Sequence, residues 1–401
     1  MSELIKNNKD KQNQLKSIIM EIHAGKNPKE VKKKFDKLIR NVSPEEIAEM
    51  EQGLIQEGVP VEQVQSLCDV HVSVFKSALE DAHRGKVLPG HPVHSYREEN
   101  KAAKKYARIL VRESRNADRS GSSFSSAMED MEALEIHFRR KENQLFPYLE
   151  AVNFTGPSKV MWGKHDEIRE AFKDVRKAHS AGHNRDLRRK VKALTGAIRR
   201  MIFMEERILF PTALRKLPEK SWVEIRRGEA EIGYAWISPG NLWDANVVQS
   251  ESPTAINAAP VKTSPDSRIP LETGELLPSQ LNMMLKALPF DLTFVDSEDK
   301  VRYYSQGKER LFPRSPGIIG RDVANCHPPK SVHIVEKIVQ SFRNKEMDVA
   351  EFWFTMNDRF IHIRYFPVYS ELGLYKGTIE VSQDVTDIRA LKGVKKLLDW
   401  E

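Results

Sequence analysis

Histidines and carboxylates recur in this chain on segments with helical spacing: His91, His94 and Glu98, then His137 and Glu142, then His165, then Glu205 and Glu206. Counted at about 100° per residue, His91 and Glu98 share a narrow arc with Ala102 and Ile109, with His94 at its edge. On the next segment Met131, Leu134, Phe138 and Leu145 mark an inward stripe, flanked by His137 on one side and Glu142 on the other. His165 falls among Met161, Ile168, Phe172 and Val175. Glu205 is central in a stripe of Leu194, Ile198, Met201, Ile202 and Leu209, with Glu206 at its margin. A carboxylate buried alone and ionised is strongly penalised, so Glu205 must pair, bind metal or take a proton. Any one core histidine is accounted for by a hydrogen bond. Imidazoles and carboxylates converging from several helices instead suit a metal ion, with iron, manganese and zinc the candidates.

The elements that would position these groups come from a repeat. His137 to Pro147 and Met201 to Pro211 share a frame in which an acidic residue precedes Leu-Phe-Pro, and the two are offset by 64 residues. That offset spans two helices and two loops, so a helical hairpin is duplicated and a four-helix bundle results. The helices are expected at about 91–116, 122–146, 157–181 and 185–210, each Leu-Phe-Pro ending its helix because proline lacks a backbone N–H. The bundle domain then runs over 85–215. Ahead of it, residues 11–82 read as a small all-helical unit, with Ser43-Pro44-Glu45-Glu46 as a capped helix start. Cys68 and His71 share a helix face there; a buried cysteine beside a surface histidine is preferred over a metal or redox pair. Residues 216–282 read as a connector, with scattered Trp222, Tyr234, Trp236 and Trp243 and then a Ser/Pro/Ala-rich tether. From 283 to 392 the period switches to that of strands around one helical stretch at 328–344, an α+β domain with an antiparallel sheet.

Composition narrows the function. At 401 residues the chain has room for two to three domains. It has no apolar run of bilayer length and no signal-peptide pattern at Met1, so a cytoplasmic protein is expected. Two cysteines, Cys68 and Cys326, rule out a disulfide framework or a four-cysteine metal site. The formal charge of +7 is modest, and the basic runs Lys101 to Arg115 and Arg185 to Arg200 read as solvated helix faces rather than as a nucleic-acid surface. No kinase motif, glycine-rich nucleotide loop or DNA-reading helix-turn-helix is recognised, so no catalytic residues are assigned and output is expected through a protein partner.

Residues 91–211 resemble a hemerythrin-like (HHE) cation-binding domain, through His91-Pro-Val-His94, His137 ahead of Leu-Phe-Pro, Lys-His165-Asp-Glu and Met-Glu205-Glu-Arg-Ile-Leu-Phe-Pro. The resemblance implies a four-helix bundle with a non-haem di-iron centre and ligands at His94, His137, His165 and Glu205. It also implies a bridging glutamate where this chain has Lys141 and a histidine where it has Met201; Glu142, Glu98 and His91 are the groups that could substitute. Residues 288–390 resemble a PAS sensor domain, in Phe294-Val-Asp-Ser-Glu-Asp-Lys-Val and Gln383-Asp-Val-Thr-Asp-Ile-Arg. Such domains often enclose a ligand, and Cys326, His327 and His333 are the residues that could hold one, haem included. The N-terminal unit is similar to a helical domain of unknown function that precedes the bundle in hemerythrin–PAS proteins. Together these imply a sensor answering oxygen, nitric oxide or redox state, with a homodimer through the PAS domain. An enzyme that removes nitric oxide or peroxide or repairs iron centres, and an interaction scaffold with a vestigial metal site, are the alternatives.

Overall fold

The computed structural model describes residues 52–61, 63–64, 87–115, 121–243, 245, 268–307 and 310–394, with three isolated positions before residue 52. Most of the expected helical unit over 11–82, including Cys68 and His71, and the Ser/Pro/Ala-rich tether lie outside the described residues. The chain separates near residue 250 into two compact units.

The first unit is a four-helix bundle. Its first arm is α1 (Pro92–Glu113), and its second is built from α2 (Gly121–Glu132), α3 (Leu134–Arg140) and α4 (Phe146–Ala151). The third is α5 (Gly156–Ser180), and the fourth joins α6 (Asn184–Met204) to α7 (Phe210–Lys216). Neither Leu-Phe-Pro ends its helix, contrary to the sequence expectation. The chain instead widens into a π-turn at Lys141–Leu145 and again at Glu205–Leu209, where the N–H of Phe146 reaches the carbonyl of Lys141 and that of Phe210 reaches Glu205. The five-residue register absorbs the missing N–H and the ring clash of Pro147 and Pro211, so the helix resumes. Both π-turns start at positions related by the 64-residue offset.

On α1 the buried stripe is Val93, Tyr96, Glu99, Asn100, Ala103, Ala107 and Leu110. It is rotated by about one residue from the arc through Glu98, Ala102 and Ile109 expected from the sequence. Half of the supposed connector belongs to this unit. Trp222 and Ile225 seat helix α8 (Glu219–Ile232) in the bundle core. The following strap folds back until the Trp243 N–H donates to the Pro89 carbonyl at 2.8 Å. Gly90 has φ +104°, and a Cβ there would meet the Trp243 carbonyl at 2.8 Å, so glycine is required at this approach.

The second unit opens with the hairpin β1 (Ile269–Leu271) and β2 (Gly274–Leu276), followed by α9 (Pro278–Ala287). Strands β3 (Asp291–Asp296), β4 (Val301–Tyr304), β5 (Ala350–Met356), β6 (Arg359–Tyr369) and β7 (Tyr375–Asp384) form an antiparallel sheet of order β4-β3-β7-β6-β5. Helix α10 (Pro329–Arg343) lies between β4 and β5 in sequence, and α11 (Thr386–Ala390) closes the domain. Asp296 makes the β3–β4 turn by accepting from the N–H groups of Glu298 and Lys300. No helix among the described residues is long and apolar enough to cross a membrane.

Candidate cation centre

The interior of the bundle holds a connected set of charged side chains. Position 137 is on α3, Lys141 opens the first π-turn, His165 is on α5 and Glu205 opens the second π-turn; all four are fully buried. The Lys141 ammonium ion-pairs with Glu205 Oε1 and lies 2.7 Å from His165 Nε2 and 4.0 Å from Met201 Sδ. His137 Nε2 stands 3.3 Å from both Glu205 oxygens. Each ring is fixed through its other nitrogen: His137 Nδ1 is 2.7 Å from Glu99 Oε2, and His165 Nδ1 is 2.7 Å from Glu142 Oε1. With the Nδ1 protons directed at these carboxylates, both Nε2 atoms face the centre. That is how outer carboxylates orient imidazoles toward a cation. Phe138 stacks on the His165 ring at 4.3 Å and Tyr96 meets His137 edge-on at 5.3 Å, which fixes both ring planes.

A second layer neutralises the outer carboxylates. Arg140 donates from Nη1 and Nη2 to the two oxygens of Glu99, each at 2.9 Å, while its Nε lies 3.1 Å from Glu229 on α8. Arg169 donates to Glu142 at 3.0 Å and to Glu135. The protonation states follow. Burial favours neutral Glu99, but the bonds from His137 and Arg140 outweigh it and hold the carboxyl below its usual range. Burial also opposes charge on Glu205, and there Lys141 and then His137 prevail, keeping it ionised. Burial draws Lys141 below the usual lysine range while Glu205 pulls against it. His165 is driven well below its ordinary value by burial and then by Lys141 and Arg169, so its ring is neutral. Glu229 is pushed up to about 7 by burial, opposed by Arg140.

The sequence candidates divide accordingly. The structure brings together His137, Glu142, His165 and Glu205. His91 is elsewhere: it caps α1 by accepting from the Val93 N–H at 3.1 Å and packs between Trp222 and Trp243. His94 and Glu98 stand 3.9 Å apart on the half-exposed side of α1, and Glu206 pairs with Lys104 at 3.3 Å, outside the cluster. The α1 carboxylate in the centre is Glu99, next door to the one expected. Glu99, Arg140 and Arg169 are absent from the sequence-based candidates, and Lys141 enters there only as a departure from the family pattern. The sequence signal for them was weak, because the opposite charge on a facing helix is identified only once the helices are placed.

In the second unit Cys326, His327 and His333 do not converge. Cys326 packs beside Val295, Val301 and Ile318 and its thiol points to the Asp322 carbonyl at 3.6 Å. His327 is held neutral by burial, which outweighs the nearby Glu380 carboxylate, and His333 lies exposed on α10. An open cleft of about 740 Å³ lies elsewhere in this unit, lined by Phe290, Asp291, Arg359, Ser382 and Asp384 among others.

Family models match three successive stretches of the chain. Residues 15–81 match a family of unknown function, 91–213 the hemerythrin HHE cation-binding domain, and 281–386 a PAS domain. The chain joins a hemerythrin-like bundle to a PAS domain. No curated protein matches it. Among solved structures it is similar to a C-terminal domain from Streptococcus mutans, at 31% identity over 32% of this chain and 99% of that one, with a TM-score of 0.31. It is also similar to a PAS domain from Colwellia psychrerythraea, at 20% identity over 27% of this chain and 97% of that one, TM-score 0.23. A sensory box sensor histidine kinase from Vibrio cholerae matches at 16% over 27% and 90%, TM-score 0.21.

The hemerythrin-like bundle of this chain does not fit the two-metal centre that its family resemblance implies. The position of a bridging carboxylate is occupied by Lys141, whose ammonium sits among the atoms that would face the metals. The position of the fourth-helix imidazole is Met201, a soft thioether poorly suited to the hard, oxygen-rich ligation of such a site. Among the described residues no three histidine, cysteine or carboxylate side chains are grouped to hold a metal ion.

Proposed function

We propose that this chain is a sensory regulator: the hemerythrin-like bundle carries a buried cation centre, the PAS domain binds a small molecule or pairs two chains, and the connector relays between them to a protein partner. One observation supports this above others. Glu99, which anchors His137, also accepts the Ala235 N–H at 2.7 Å and is held by Arg140, which also reaches Glu229 on α8 and the Gly233 carbonyl. A change of charge at the centre therefore reaches, through Glu99 and Arg140, the backbone that leaves the bundle. Packed cores convert such changes into discrete rearrangements.

Hydrogen exchange on the full chain tests this reading. Glu99→Gln removes a charge-assisted acceptor worth about 1.5–3 kcal/mol, so amides of 219–243 should lose protection by roughly ten- to hundredfold. Unchanged exchange in 219–243 would refute the relay.

A second reading has its own support. Two imidazoles with carboxylate-anchored Nδ1 atoms and the Glu205 carboxylate surround the Lys141 ammonium, and with that ammonium displaced they are the donor types that suit a single non-haem iron answering oxygen, nitric oxide or redox state. It requires Lys141 to leave the centre.

A further inference from the structure

We propose that the Lys141 ammonium is the resident cation of this bundle and stands where the family would hold metal. The inference rests on the reading of the bundle as a cation centre and names what fills it.

The duplication carries the first part of the argument. The 64-residue offset superposes His137 on Met201 and Lys141 on Glu205. Each half of the repeat thus has one donor of a histidine–carboxylate pair and not the other: the first half has the imidazole at 137 and no carboxylate at 141, and the second half has the carboxylate at 205 and no imidazole at 201. The two residues at the related positions 141 and 205 ion-pair with each other, each at the first residue of its π-turn. One half supplies a cation to the anion of the other.

Coordination and charge carry the second part. The ammonium has an anionic oxygen from Glu205 and the lone pair of His165 Nε2 at 2.7 Å, with the Met201 thioether at 4.0 Å closing the side where the second imidazole is missing. At the centre Glu205 is matched by Lys141, while Glu99 and Glu142 are held by Arg140 and Arg169, which also pair with Glu229 and with Glu135. A divalent ion added beside this ammonium would set two cations against each other among fully buried groups, where an uncompensated charge is most costly. The outer bonds from Glu99 and Glu142 that normally orient metal-binding rings are retained, so the ligand geometry persists around an ammonium. The bundle is thereby independent of metal supply.

The test is the metal content of the full chain, expressed with added iron, manganese and zinc and purified without oxygen, measured by mass spectrometry alongside its melting temperature with and without EDTA. The wild type should carry well under one ion per chain and melt at the same temperature in EDTA. Restoring both halves with Lys141→Glu and Met201→His should raise the content to about two ions per chain and make melting sensitive to EDTA. One or more ions per wild-type chain, lost in Glu205→Gln, would overturn the proposal and favour the single-iron reading. A folded double variant without metal would overturn the assignment of position 141 as what keeps metal out. Neither outcome bears on the relay through Glu99, which is judged by hydrogen exchange alone.

Discussion

Replacing Lys141 by methionine keeps most of the side-chain volume and removes the charge. Glu205, fully buried, then loses its ion-pair partner and retains only the His137 contacts at 3.3 Å. Removing one partner of a buried pair typically costs about 3–5 kcal/mol, chiefly the penalty of the remaining uncompensated charge. The same principle gives a sharp control. Lys141→Met combined with Glu205→Gln removes both charges and leaves groups of similar shape, so it should recover most of the loss. Native-state hydrogen exchange of the full chain, followed by mass spectrometry over α3–α4 and α6–α7, reads the bundle apart from the PAS domain. Lys141→Met should lower protection there by roughly two to three and a half orders of magnitude, at about 1.4 kcal/mol per decade. The double variant should return to within about tenfold of wild type. If Lys141→Met exchanges like wild type, or the double variant is worse than both singles, Lys141 does not neutralise Glu205 and the account of the centre is wrong.

Two further outcomes follow from other parts of the bundle. The His91 ring is held neutral by burial, with a folded value of about 4 against 6.5 when exposed. A base depressed in this way contributes fully above 6.5, and its contribution is lost as pH falls through that window. At about 1.4 kcal/mol per pH unit this comes to about 3 kcal/mol. His91→Asn preserves a capping acceptor without the titration, so its urea stability should fall less between neutral pH and pH 4, by about that amount; equal slopes would refute the assignment. Glu229, raised to about 7, acts with the opposite sign in both proteins and cancels in the comparison. Gly228→Ala would set a Cβ 2.5 Å from the Gln144 amide oxygen and disturb the bond from Gln144 Nε2 to the Gly228 carbonyl. It should loosen α8 by about 1–3 kcal/mol, seen as faster exchange in 219–232, and wild-type exchange there would count against this packing.

The sequence made the bundle legible because its apolar stripes repeat at helical spacing and its two Leu-Phe-Pro frames announce a duplication. The same frames misled about helix ends. A proline excludes a regular helical hydrogen bond, but a π-turn one step earlier supplies a register in which none is needed, and neither composition nor period reveals it. On α1 the middle of the inward stripe is Asn100, Ala103 and Ala107, which are weak hydrophobic markers, so the arc through Glu98, Ala102 and Ile109 lies one residue away and points to Glu98 in place of Glu99. Lys141 was visible only as a departure from the family pattern. That it would be an occupant depends on a four-methylene stem reaching between two helices, which spacing along one helix does not encode. Arg140 and Arg169 were hidden for a related reason: a buried or half-buried arginine makes sense only once the carboxylates that face it are placed. The strap from Tyr234 to Trp243 read as scattered aromatics because its order comes from partners far away in sequence, Glu99 for Ala235 and Asp130 for Trp236. In the PAS domain, by contrast, the strand alternation and the acidic β3–β4 turn are local signals, and they were readable.

The most direct measurement is a crystal structure of the wild-type chain grown with manganese, with anomalous diffraction data. The account predicts the Lys141 ammonium between Glu205 and His165 and no anomalous peak in the bundle. A peak ligated by His137, His165 and Glu205, with Lys141 turned away, would contradict it.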